Sequence, residues 1–187
     1  YATGMQAALW PLVSAGLLAP EPPPTIFGIS GHSGAGTRPS PRNDPQRLEN
    51  NLIPYGLIGH THEREVTRQL ERPVYFTPHV ASFFRGISLT VNLHLRDGVK
   101  LSQVRDAYTH QWGDTPLVHF VDTHIPEVKD HVGQHHVSVG GLRHDPATGR
   151  VTVVVALDNL LKGAATQALQ NLNLACGYPA LTGIPKL

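Results

Sequence analysis

A single cysteine, Cys176, stands among 187 residues. No disulfide can close within the chain, so a cystine-stapled scaffold is excluded, and such sparing use of thiols fits a reducing compartment. Charge is scarce too: charged side chains make up 16% of the residues, and 15 Lys and Arg against 14 Asp and Glu leave a net +1. That balance excludes the clustered basic surface by which nucleic acid is held. No apolar run approaches the roughly 20 residues of a membrane-spanning helix, and the opening residues carry no secretory leader. A soluble intracellular protein is the expectation, with any targeting segment lying upstream. No internal repeat is visible. What the chain does hold is 40% apolar residues, enough for one well-buried core, and no shift in composition divides it into two domains.

Hydrophobic spacing outlines the elements. Met5, Ala8, Leu9, Leu12 and Val13 recur at helical intervals, Thr3 and Gln6 fit a capping box, and Pro11 falls inside this first helix, where it deletes a hydrogen bond. Residues 19–24, APEPPP, form a stiff connector, and residues 25–29, TIFGI, a short buried strand. Residues 30–51, rich in Gly, Pro, Ser and Arg, show no periodicity, which makes them a functional or a mobile loop. A helix is expected over 61–70 and an edge strand from Pro73. Residues 87–95 alternate apolar and polar without exception, the mark of a strand with one wet face. A helix over 101–112 and a strand over 117–121 follow. Residues 136–143 and 150–157, joined by the turn sequence DPATG, read as a β-hairpin. Leu161, Ala165, Ala168, Leu172 and Ala175 trace the apolar stripe of a last helix, capped by Asp158 or Asn159 and stopped by Gly177 and Pro179. The fold class expected is α+β, a mixed and mostly antiparallel sheet with helices on one face.

Twelve histidines invite a metal, yet HEREV at 62–66 misses the HExxH pattern because Val66 stands at the second histidine, and no paired-cysteine signature exists. No metal site is therefore assigned. His135 and His136, as strand neighbours, point to opposite faces. The segment GISGHSGAG at 28–36 is neither GxSxG nor GxGxxG. It is a donor-rich turn after a strand, able to wrap an anionic or amide-bearing ligand or simply to turn the chain. GHTHERE at 59–65 gathers two imidazoles and two carboxylates at a loop-to-helix junction. His62 and Glu65, three apart, share a helix face, which suits general acid–base work as well as a solvated helix start. Arg85 offers a rigid fork for a carboxylate, with an ordinary strand-end charge as the alternative. Arg38, Arg42 and Arg47 could meet an anionic substrate, although arginines among Pro and Asn are more often solvated.

These blocks together carry a resemblance. YATG with Ala8, Leu9 and Pro11, then GISGHSGAG, GHTHERE, FTPHVASFFRGISLTV at 76–91 and LDNLLKGAATQALQNLNLACGYP at 157–179 stand in the order found in N-acetyl-gamma-glutamyl-phosphate reductases, over nearly the whole chain. The resemblance implies the C-terminal domain of a semialdehyde dehydrogenase or glyceraldehyde-phosphate-dehydrogenase-like fold. It implies NADPH-dependent reduction of N-acetyl-glutamyl 5-phosphate to the semialdehyde, in arginine biosynthesis, through a cysteine thioester. The cysteine's place falls just ahead of Tyr1, and Cys176 matches a non-catalytic position. Residues 1–187 would then be a substrate-binding and dimerisation domain, inert alone. The helices at 1–16 and 158–177 would pack on an absent NADP-binding domain that holds most of the NADP(H). The resemblance implies that GHTHERE supplies the active-site histidine, with His60 the first candidate for acid–base work, His62 the second and Glu65 in support, an order the sequence leaves open. It also implies Ser30 and Ser33 toward the substrate, where Arg85 is the candidate carboxylate anchor and Glu65 a supporting contact, and Gly31, Gly34, Asn159 and Lys162 toward the cofactor. Homo-oligomers are implied, as is the mitochondrial matrix for a fungal two-enzyme polypeptide or the cytoplasm for a bacterial protein. An aspartate-semialdehyde dehydrogenase type enzyme and a non-catalytic α+β binding module are the alternatives.

Overall fold

The computed structural model describes residues 1–185; Lys186 and Leu187, the end of the expected domain, lie outside the described residues. In chain order the elements are α1 (Ala2–Ser14), β1 (Thr25–Gly31), α2 (Pro45–Leu48), β2 (Leu52–Pro54), α3 (Thr61–Leu70), β3 (Tyr75–Ala81) and β4 (Ile87–His94). Then come α4 (Leu101–Trp112), β5 (Val118–Val121), α5 (Val128–His131), β6 (Val137–Asp145), β7 (Arg150–Leu157) and α6 (Thr166–Ala175). The strands form one sheet in the order β2-β3-β1-β4-β7-β6-β5. β1/β3 and β5/β6 are parallel and the other neighbours antiparallel, so the mixed, mostly antiparallel α+β expectation holds.

Alternation builds the centre. In β4 Ile87, Leu89, Val91 and Leu93 are buried while Ser88, Thr90, Asn92 and His94 are half-buried on the reverse face. The buried rows of β4 and β7 receive α1, whose Met5, Ala8, Leu9 and Leu12 are fully enclosed. Gly4 permits the close approach: a Cβ there would come 2.7 Å from Leu89 and 3.2 Å from Leu157. α3 and α4 flank α1, so the long helices share one face, and the short α5 instead lies against β7.

Pro11 sits within α1 and leaves the Ala7 carbonyl without its helical donor. The Trp112 indole N–H of α4 donates to that carbonyl at 3.0 Å, and the Tyr108 hydroxyl donates to the Ala8 carbonyl at 2.6 Å. The neighbouring helix thus satisfies the group that proline orphans.

Several expectations are corrected. α1 starts with Tyr1 as N-cap and no side-chain cap bond, so Thr3 lies inside the first turn and no capping box forms with Gln6. β1 is only half-buried, with Phe27 39% exposed on the reverse face. β3 begins at Tyr75 and lies between β2 and β1, so it is not an edge strand. β2 covers only its far end, and the outward N–H of Phe76 is met instead by the Glu63 carboxylate at 2.9 Å. Residues 30–51 are not structureless: they hold a 3-10 turn, His32–Ala35, and α2 with Asp44 as its cap. The hairpin of β6 and β7 forms as expected, with an irregularity between Gly140 and Arg143, but His135 and His136 precede β6.

The last helix is turned round relative to its expected stripe. A π-helical turn, Leu161–Ala165, leads into α6. Its buried positions are polar, namely Lys162, Thr166, Gln170 and Asn173, while Leu172 and Leu174 are 59% and 64% exposed.

Candidate functional site

At the carboxyl ends of β1 and β3 the chain leaves a sheltered cavity of about 300 Å³, lined in part by Tyr1, Ser30, Ser33, Arg42, His62 and Asn159. Its floor depends on a glycine. A Cβ at Gly28 would lie 2.9 Å from the Tyr1 ring and 2.7 Å from Phe76, so the bare backbone of β1 makes room for Tyr1. The Tyr1 hydroxyl donates to the His79 carbonyl at 2.7 Å, and burial raises its phenol above the ordinary range.

The GHTHERE segment closes one side. His60 is the N-cap of α3, its Nδ1 accepting the His62 backbone N–H at 3.1 Å. Both imidazoles stand beside Tyr1, with ring centres 6.4 Å away for His60 and 6.0 Å for His62. His62 lines the cavity, and its Nδ1 is buried without a partner. Burial pushes its imidazole well below the ordinary histidine range, and the neighbouring His60 acts in the same direction. Burial likewise lowers His60. Glu65 is exposed and lines a different cleft, between α1, α3 and α6, so it does not meet His62. The carboxylate that holds the junction is Glu63, which accepts the Gly59 N–H at 3.0 Å and the Phe76 N–H at 2.9 Å.

The polar turn after β1 supplies the opposite wall. The Ser30 hydroxyl donates to the Gly31 carbonyl at 2.9 Å. Gly31 is required by close packing, since a Cβ would fall 2.5 Å from the Phe84 carbonyl oxygen. Gly34 faces the cavity, where a Cβ would sit 3.1 Å from Ser30 Oγ. Asn159 joins three elements: its Oδ1 accepts the Gly86 N–H at 2.6 Å, and its amide donates to Ser33 Oγ at 2.9 Å. Both ends of that amide are therefore used by the chain itself.

Arg85 and Lys162, like Glu65, do not join the group. Arg85 pairs with the fully buried Asp158 at 2.7 Å and is absent from the cavity lining. Asp158 also accepts the Gly133, Leu160 and Leu161 N–H groups, so it is Asp158, not Asn159, that caps the start of the last helical segment. Lys162 is buried on the far cleft, donating to Gln170 Oε1 at 2.6 Å, and burial brings it down to about 8.

Sequence reasoning passed over Tyr55, whose ring Arg42 covers at 4.7 Å, and Glu63, which differs from Glu65 only by helical phase. Among the described residues no three His, Cys, Asp or Glu side chains gather in a way that could hold a metal ion, and no helix is long and apolar enough to cross a membrane.

Known proteins give this geometry a context. The chain is 52% identical over 184 residues to the mitochondrial arg11 protein of Schizosaccharomyces pombe, covering 98% of this chain and 20% of that one. It is 52% identical over 186 residues to N-acetyl-gamma-glutamyl-phosphate reductase of Xanthomonas axonopodis, covering 98% of this chain and 57% of the bacterial one. The chain thus spans little more than half the length of such bacterial relatives. Among solved structures, aspartate semialdehyde dehydrogenase II of Vibrio cholerae superposes with a TM-score of 0.72 at 23% identity, over 93% of this chain and 59% of that one, which shows a shared fold. Residues 1–159 match the semialdehyde dehydrogenase dimerisation domain, and the chain belongs to that family.

Proposed function

We propose that this chain is the substrate-holding and proton-handling part of an N-acetyl-gamma-glutamyl-phosphate reductase. The observation that carries the reading is His62: an imidazole that lines a sheltered cavity, 6.0 Å ring to ring from Tyr1, beside the position where the resemblance puts a cysteine. Relatives at 52% identity bearing that enzyme's name support the substrate.

The chain's own residues then have three tasks. His62, whose imidazole burial keeps neutral at pH 7, takes the proton of the attacking thiol as phosphate leaves the acyl carbon, lends it to the oxyanion formed when that carbon is reduced, and takes it back to return it to sulfur as the C–S bond breaks and the aldehyde departs. His62 comes before His60 in this role, because His60 spends its Nδ1 on capping α3. The turn of Ser30, Ser33 and Gly34 fixes the substrate in that sheltered cavity. The third task is to leave room for NADP(H), which supplies a hydride when bound. Ser33 and Gly34 fit the reacting end of that group, since Gly34 leaves space that a Cβ would fill. Asn159 acts by positioning Ser33, and Gly31 by packing. Lys162 lies off the cavity, so the phosphates fall to a separate nucleotide-binding domain. The exposed Leu172, Leu174 and Tyr178 offer an apolar surface for that domain. Location follows the source, matrix for a fungal protein and cytoplasm for a bacterial one.

The test is His62→Asn in the full-length reductase polypeptide. Turnover of N-acetyl-glutamyl 5-phosphate with NADPH is expected to fall about 10²- to 10⁴-fold, the usual worth of a general acid–base residue, while His60→Asn falls less. Equal retention of rate by His62→Asn removes the proposal.

A further inference from the structure

We infer that Arg42 is the residue that grips the substrate's carboxylate, an inference that rests on the reductase reading of the cavity. Arg42 is the one arginine or lysine in the cavity lining. Arg85 stands outside, its guanidinium spent on Asp158 at 2.7 Å.

The Arg42 guanidinium lies over the Tyr55 ring, 4.7 Å from its centre, and pairs with no carboxylate among the described residues. A guanidinium seated on an aromatic ring and unpaired with a carboxylate has N–H groups to offer a planar carboxylate in two bonds. The loop that carries it is tied in place. Asn43 donates to the Gly36 and Arg38 carbonyls, both at 2.8 Å, and accepts the Ser40 N–H at 2.7 Å, while the Arg42 N–H reaches Ser40 Oγ at 3.3 Å. These bonds build a defined perch in a stretch with no apolar periodicity.

The position selects the carboxylate over the phosphoryl group. The acyl phosphate must react beside His62 and the backbone of Tyr1. Arg42 lies instead on Tyr55, which meets the hydroxyl end of the Tyr1 side chain, the end opposite the backbone. A glutamyl substrate spans that gap by its own chain, with its leaving group at one end and its carboxylate at the other.

The experiment uses full-length wild-type, Arg42→Ala and Arg42→Lys enzymes. Run toward semialdehyde oxidation, the carboxylate-bearing semialdehyde and inorganic phosphate are varied separately. Arg42→Ala is expected to raise KM for the semialdehyde about 30-fold, as for a lost charge-assisted bond, with KM for phosphate within about twofold. Arg42→Lys, a point charge without the fork, falls between. Calorimetric binding of N-acetylglutamate weakens in parallel. An unchanged semialdehyde KM, or a rise confined to phosphate, overturns the inference. A wild-type enzyme that binds N-acetylglutamate through Arg42 yet reduces no acyl phosphate overturns the reductase reading and leaves the anchor standing.

Discussion

Glu63 shows how a single side chain sets the site without entering it. Its two carboxylate oxygens bridge the Gly59 N–H before α3 and the Phe76 N–H of β3, so the loop bearing His60 and His62 is pinned to the sheet. Glu63→Ala leaves the partly buried Phe76 N–H unmet and the exposed Gly59 N–H to water, and the expected cost is about 1–3 kcal/mol, read as a lower midpoint in urea. Glu65→Ala, at an exposed position, is expected to leave the midpoint within about 0.5 kcal/mol; equal losses would contradict the assignment. The two acids look alike in sequence, both within GHTHERE. Only the phase of α3 relative to β3 separates them, and a strand's unpaired N–H cannot be read from residue order. Arg42 and Arg85 present the same problem. Neither shows its partner in residue order; the fold brings Asp158 to Arg85 and Tyr55 to Arg42.

At the scale of elements, periodicity revealed what hydrophobic burial decides and missed what hydrogen bonds decide. β4, α4 and the hairpin of β6 and β7 stand where the apolar pattern put them, because burying one face is their main driving force. The perch at residues 36–44 and the cap at Asp158 rest on side chains bonding nearby backbone, which leaves no period. The last helical segment inverts its pattern, turning Lys162 and Gln170 inward and leucines outward. Lys162 makes this arrangement measurable. Burial holds its folded value at about 8 against 10.5 for an exposed lysine, so between those values the unfolded chain binds more protons. Stability is therefore expected to rise from about pH 8 to about pH 10.5 and to be lost again as pH falls through that window. Lys162→Met removes that slope in thermal melts of the two proteins, whereas an unchanged slope would place its origin elsewhere.

For the whole molecule, the sheet is covered by its long helices on one side only. The other side presents Ser88, Thr90, Asn92 and His94 of β4 with Phe27 and Tyr75 nearby, and Thr152 of β7 donates to Asn92 at 2.7 Å. A dimerisation domain with one such face is expected to pair through it. By two-fold symmetry each substitution there acts twice, so Thr90→Arg in the full-length protein should shift sedimentation from dimer to monomer; an unshifted dimer would assign pairing to another surface. The family fold was legible because its blocks persist in order, while the choice of substrate rests on a cavity assembled from α1, β1, α3 and the last helical segment. The most direct measurement is therefore NADPH oxidation by the full-length polypeptide offered N-acetyl-glutamyl 5-phosphate and, separately, aspartyl phosphate. The account predicts rapid oxidation with the first and little with the second; turnover of aspartyl phosphate alone would contradict it.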